Sequence, residues 1–224
     1  VEKSAFTGSW YMHQTIIDME YEGAPTGFVG ANAGDATGGF LGFSLPRIRW
    51  VIDEPFLYAY RDYETVGDPT DPATTHGPSS NRAQYHRVQT MIQTGIDEGA
   101  KLLIGGPGRP EGLARGFFSK PTIFSEVSTD MTVAQEEIFG PVLVILPYDD
   151  VEEGIAIAND TVYGLGAQVQ GTDRELTRRT AARIRAGQVH LNYPAWDPYA
   201  PFGGYKQSGN GREYGIEGLE EYLE

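Results

Sequence analysis

The chain is 224 residues long, carries a net charge of −14, and is 40% hydrophobic with 12% aromatics, enough for one large domain or one and a half small ones. Its 31 acidic residues outweigh 17 basic ones, and no basic stripe exists to displace counterions, so binding to a nucleic-acid backbone is excluded. There is no cysteine, and the four histidines (His13, His76, His86, His190) lack metal-ligand spacing, which excludes disulfides and thiolate metal sites and leaves no metal expected.

Up to residue 65 the pattern is weak. Gly and Ala are dense from Gly23 to Gly42, Ile48–Ile52 reads as a strand, and Pro55–Tyr63 reads as a helix or a packed loop. The chain divides near Val66. Asp68-Pro69-Thr70-Asp71-Pro72 and His76-Gly77-Pro78 are turn sequences, and Ser79, Ser80 or Asn81 can cap a helix. Tyr85, Val88, Ile92 and Ile96 recur at near-helical spacing and predict a helix from Asn81 to about Glu98. Short strands are predicted at Lys101–Ile104 and Thr122–Val127, and the continuous apolar run Val142–Tyr148 predicts a buried strand. Asp149 and Asp150 open a helix over Val151–Asn159. A strand lies within Gly164–Gly171. Thr172 or Asp173 caps a helix to about Arg185, ended by Gly187, and Gln188–Asn192 is a last strand. This alternation predicts an α/β fold with a mainly parallel sheet flanked by helices, with ligand loops at the carboxyl ends of the strands. No apolar run reaches bilayer length and no signal peptide is found, so a cytoplasmic protein without membrane partners is expected.

Two strings stand outside any helix or strand pattern. One is Glu136-Glu137-Ile138-Phe139-Gly140-Pro141. The other is Pro201-Phe202-Gly203-Gly204-Tyr205-Lys206-Gln207-Ser208-Gly209-Asn210-Gly211-Arg212-Glu213, whose glycines imply tight turns and close approach. With Val66-Gly67-Asp68-Pro69, Glu98-Gly99-Ala100-Lys101, Pro121-Thr122-Ile123 and Tyr163-Gly164-Leu165, they resemble the catalytic domain of the aldehyde dehydrogenase superfamily. The resemblance implies residues 66–224 as that domain, and residues 1–65 as a degraded remnant of the coenzyme-domain end and the nucleophile region. The chain begins with Val inside a recognisable motif, so a fragment or processed chain is expected.

By this resemblance Glu137 holds the nicotinamide ribose, Phe139 flanks the nicotinamide, and Phe202 walls the substrate funnel. Asn192 lies near the active site. Glu213 belongs to a water-linked proton path, and Lys206 matches a lysine of the same loop. Outside the motifs, Glu137 reads as a solvated acid, Phe139 and Phe202 as core, Asn192 as a strand-end turn residue, and Lys206 and Arg212 as surface charges. In the N-terminal part, Ala5-Phe6-Thr7-Gly8-Ser9 resembles the phosphate-facing turn, so Gly8 and Ser9 are cofactor candidates. Glu20 matches the general base. Gly39-Phe40-Leu41-Gly42…Arg47 lines up with the nucleophile motif, where Gly42 replaces the cysteine.

The implied chemistry is oxidation of an aldehyde to a carboxylic acid with NAD or NADP, through a thiolate adduct and a thioester hydrolysed by activated water. Gly42 cannot supply that thiolate. Ser44 has no base within Gly39–Arg47 to activate it, and a turn or packing role fits it better. Three readings stay open: an enzyme-derived chain that is inactive as written and binds cofactor weakly, a catalytically dead scaffold or oligomer partner, and an engineered or misread version of a normal enzyme. The implied partners are a small aldehyde and further copies of the chain.

Overall fold

The computed structural model describes residues 3–9, 13–18, 65–171, 173–192 and 197–223. Two strands come first, β1 (Lys3–Ser9) and β2 (His13–Asp18). Next, the Asn81 side chain accepts the Gln84 N–H at 2.9 Å and starts helix α1 (Arg82–Asp97), with Glu98 as its C-cap, as the apolar spacing predicts. Strands β3 (Lys101–Ile104) and β4 (Thr122–Ser125) follow. β4 stops short of the predicted Val127 because Glu126 takes a left-handed φ of 56°, which breaks an extended ladder. Helix α2 (Thr132–Gln135) has no counterpart among the predicted elements. One turn has no readable period, and its cap is remote: the Glu98 carboxylate accepts the Thr132 N–H at 2.7 Å.

Strand β5 (Val142–Tyr148) and helix α3 (Val151–Asn159) have the predicted bounds. The Asp150 carboxylate accepts the Glu153 N–H at 2.9 Å, and the Glu153 carboxylate accepts the Asp149 N–H at 2.6 Å. This reciprocal arrangement resembles a capping box. Strand β6 (Gly166–Gln170) precedes helix α4 (Arg174–Ala181), whose cap is Asp173. Thr172, the alternative, lies outside the described residues. α4 ends before the predicted Arg185. Asn159 donates to Arg183 O at 3.0 Å and accepts the Arg185 N–H at 2.7 Å, which draws the chain off the helix axis. Strand β7 (Gln188–Leu191), a 3₁₀ turn at Lys206–Ser208 and helix α5 (Gly215–Glu220) are the last of the described elements.

Among the described residues seven strands form one sheet in the order β3-β4-β5-β1-β2-β6-β7. β4–β5, β2–β6 and β6–β7 pair in parallel; β3–β4, β5–β1 and β1–β2 pair antiparallel. β4, β5, β2, β6 and β7 therefore share one direction, and β1 and β3 oppose it. The α/β class holds, but the sheet is mixed. The antiparallel pairs arise at two places, at β3 on the edge and at β1 between β5 and β2, in the stretch whose periodicity is weakest.

β5 shows why its sequence is apolar throughout. Val142, Val144 and Leu146 join Val88, Ile92, Phe124 and Ile138 in one buried cluster, while Leu143 and Ile145 join Ile123, Ile155, Ala158, Val169 and Ile184 in the other. With α1 and α2 on one face and α3 and α4 on the other, both faces of β5 are covered, and period-two alternation disappears from the sequence. Among the described residues no helix is long and apolar enough to cross a membrane, and no group of three His, Asp or Glu could hold a metal ion.

Candidate functional site

The string Glu136–Pro141 is an irregular segment between α2 and β5. α1 grips it with three residues on one face, at i, i+3 and i+4. Gln84 Nε2 donates to Ile138 O at 3.1 Å and to Phe139 O at 2.5 Å. Arg87 donates to Glu137 O at 2.8 Å and to the Glu136 carboxylate at 3.2 Å. Val88 packs against Gly140, where a Cβ would overlap Val88 Cγ2 and stand 3.1 Å from Cγ1. Ile138 is buried, Glu137 partly buried. Phe139 takes φ 58° and remains 49% exposed. A large aromatic in a left-handed conformation is uncommon, and here three backbone carbonyls held by α1 fix it. Sequence reasoning misses Gln84 and Arg87 as site-shaping residues; their spacing to Val88 is the available signal.

The string Pro201–Glu213 is a closed loop. Phe202 and Glu213 exchange both backbone hydrogen bonds at 2.7 Å. Between them Arg212 Nη1 donates to the carbonyls of Gly204, Asn210 and Gly211, each at 2.9 Å, and the guanidinium lies 5.0 Å from the Tyr205 ring centroid. Lys206 Nζ donates to Asn159 O at 3.1 Å and to Thr161 O at 2.9 Å. Burial, helped by nearby Arg185 and opposed by Asp160, lowers the Lys206 ammonium pKa from its ordinary value. Ser208 Oγ accepts the Gly164 N–H at 3.0 Å. The glycines are required by contact: a Cβ on Gly187 would collide with Gly203 O, and one on Gly203 would collide with Gly211 O. Lys206 and Arg212, which read as surface charges outside their motif, are partly buried and bonded to backbone carbonyls.

Topology places these parts at one end of the sheet. Gly164 O accepts the N–H groups of Gly187 and Tyr205, so the Phe202 loop is tied to the segments that enter β6 and β7. Phe139 lies just before β5. Ser9 pairs with Val142 and Gly8 with Leu143, so the end of β1 meets the start of β5. Glu137 and Phe139 therefore lie at the amino end of β5, with Gly8 and Ser9 beside it, and Phe202 and Glu213 lie at the same end of the sheet by β6 and β7, with β1 and β2 between the two groups. Ligand loops were expected at the carboxyl ends; these residues lie opposite, because Glu137 and Phe139 lead into β5, β1 runs antiparallel to β5 and ends beside its start, and the Phe202 loop, which follows β7, folds back onto Gly164 and Gln188. Gly8 and Ser9 also lie on a strand and not in the expected turn, because β1 is extended along its whole length by pairing with β2 and β5.

Asn192 stands apart, at the carboxyl end of β7. Its side-chain amide accepts the Gly171 N–H at 2.9 Å and donates to Gly171 O at 3.1 Å, which ties the ends of β6 and β7 together. Its φ of 51° suits an Asn that ends a strand. Phe202 is partly buried, and the Glu213 side chain is exposed. Glu20 and Gly42, with Phe40, Arg47, Ile48–Ile52 and Pro55–Tyr63, lie outside the described residues. Burial lowers the pKa values of His76 and His190.

The aldehyde dehydrogenase family model matches residues 54–224. A 3-succinoylsemialdehyde-pyridine dehydrogenase of Pseudomonas sp is 55% identical over 159 residues, 71% of this chain and 33% of the relative. Aldehyde dehydrogenase C of Pseudomonas syringae, solved as a cysteine-to-alanine mutant with NAD+ and octanal, superposes with a TM-score of 0.76 at 59% identity, over 80% of this chain and 37% of that one. An aldehyde dehydrogenase of Mycobacterium tuberculosis, solved with NAD+, gives 0.73 at 49% identity over 79% and 36%. The chain thus spans about a third of the length of these relatives. A match of this extent, over the segment that carries both motif loops, places the chain in the aldehyde dehydrogenase family.

Proposed function

We propose that this chain carries the nicotinamide- and substrate-facing part of an NAD(P)-dependent aldehyde dehydrogenase and does not itself oxidise aldehydes. One observation carries the reading: both motif loops are built and pinned, while the sequence contains no cysteine. The residues present suit a nicotinamide nucleotide. Glu137 offers an acceptor-only carboxylate for paired ribose hydroxyls, and the half-exposed Phe139 ring offers an apolar face beside it. When bound, the nicotinamide supplies the hydride acceptor. Phe202 supplies apolar area for an aldehyde tail, and Glu213 joins it at the mouth of the same loop. Attack on the carbonyl needs a nucleophile, and Gly42, at the matched position, has no side chain.

Titration of the purified chain with NAD+ or NADP+ tests the cofactor half of this reading. Saturation is expected only at about 1 mM or weaker, and Glu137→Gln or Phe139→Ala is expected to weaken it further. Micromolar affinity, or binding indifferent to both substitutions, would contradict it. A second reading, a dead homologue acting as a scaffold or a partner in a homo-oligomer, is favoured by the intact two-faced core. It predicts self-association without nucleotide binding.

A further inference from the structure

We infer that Arg212 is the positioning residue of the Phe202 loop: its guanidinium holds residues 203–212 closed, so that Phe202 and Glu213 stay paired at the loop mouth. The inference rests on the reading of Phe202 as substrate-facing. The geometry behind it is specific. One nitrogen, Nη1, reaches three carbonyls at 2.9 Å. It has only two N–H bonds, so at least one is shared. The three carbonyl dipoles converge on one cation and would repel one another without it. Two of them, from Asn210 and Gly211, lie just before Arg212; the third, from Gly204, lies at the far side of the loop. The guanidinium therefore spans the loop rather than decorating it. It also lies 5.0 Å from the Tyr205 ring centroid, within cation–π range. The mutual Phe202–Glu213 bonds at 2.7 Å lie next to this clamp.

Of the other restraints, Gln188 Nε2 donates to Pro201 O at 2.9 Å beside the mouth, but none joins the two sides of the loop as Arg212 does. Lys206 and Ser208 pin the outside of the loop to residues 159–164, so the loop stays attached when Arg212 is removed, while its mouth loses its clamp. Lysine at position 212 keeps the charge but not the fork, and repairs the clamp only in part.

Amide hydrogen exchange on the whole chain, in native protein and in Arg212→Ala and Arg212→Lys, tests this. Arg212→Ala is expected to accelerate exchange at Phe202 and Glu213 by about tenfold or more, with β5 amides such as Val144 unchanged and Arg212→Lys intermediate. Equal acceleration in β5, which a merely structural role would produce, overturns the inference. So does unchanged exchange at Phe202 and Glu213. Octanal binding, read in the same variants and in Phe202→Ala, separates the two levels. Weakening by Arg212→Ala comparable to that by Phe202→Ala supports positioning. A native chain that takes up no octanal contradicts the functional reading of Phe202, while exchange still decides the role of Arg212.

Discussion

Phe124→Ala is expected to lower unfolding stability by about 3–5 kcal/mol. Phe124 is fully buried on β4, at the centre of the cluster beneath α1. Its ring lies where a Cβ on Gly95 would be 3.3 Å away, and its strand neighbours are Leu102 and Val144. Removing the ring leaves a void between α1 and the sheet that α1 cannot fill, because Val88, Met91 and Ile92 are already packed. Phe139→Ala is the internal control, since that ring is 49% exposed, and a change within about 0.5 kcal/mol is expected. Urea denaturation midpoints of the two variants should differ widely. Similar losses in both would mean that the core is not centred on Phe124.

Gly187→Ala is the second large effect. The new Cβ would collide with Gly203 O and lie 2.9 Å from Gly204 Cα, all backbone, so no side chain can swing aside. Relief requires parting the segment before β7 from the Phe202 loop. That parting breaks the junction at Gly164 O, where the N–H groups of Gly187 and Tyr205 both donate. A loss at or above the upper end of the ~1–3 kcal/mol usual for overpacking is expected. Gly211→Ala should be mild by comparison, because nothing lies within 4 Å of the place its new methyl group would take. Thermal midpoints of the pair check this, and a Gly187→Ala variant as stable as Gly211→Ala would refute the backbone-to-backbone contact.

Where one kind of force decides local structure, the sequence is readable. α1, α3, β3 and β5 are legible in their bounds because apolar spacing, length and a capping Asn or Asp act within a few residues. The family resemblance is legible because Glu137, Phe139 and Phe202 sit in dense, ordered strings. Tertiary interactions decide the rest. The cap of α2 comes from Glu98, thirty-four positions away. The early end of α4 is imposed by Asn159. The Asn192 side chain is spent on Gly171, which no local pattern announces. Lys206 and Arg212 read as surface charges outside their motif, because a lone cation says nothing about the carbonyls that a turning glycine chain will aim at it. That Glu137 and Phe139 precede β5 is readable in the sequence, whereas the return of the Phe202 loop, after β7, to the amino ends of β6 and β7 is set by its bonds to Gly164 and Gln188.

We propose an aldehyde dehydrogenase framework without the thiol nucleophile. It is tested most directly by mixing NAD+ or NADP+ with octanal and chain whose intact mass matches the 24.5 kDa sequence, and following reduced nicotinamide over time. No formation above a protein-free control is expected. Sustained formation that scales with protein concentration would contradict it.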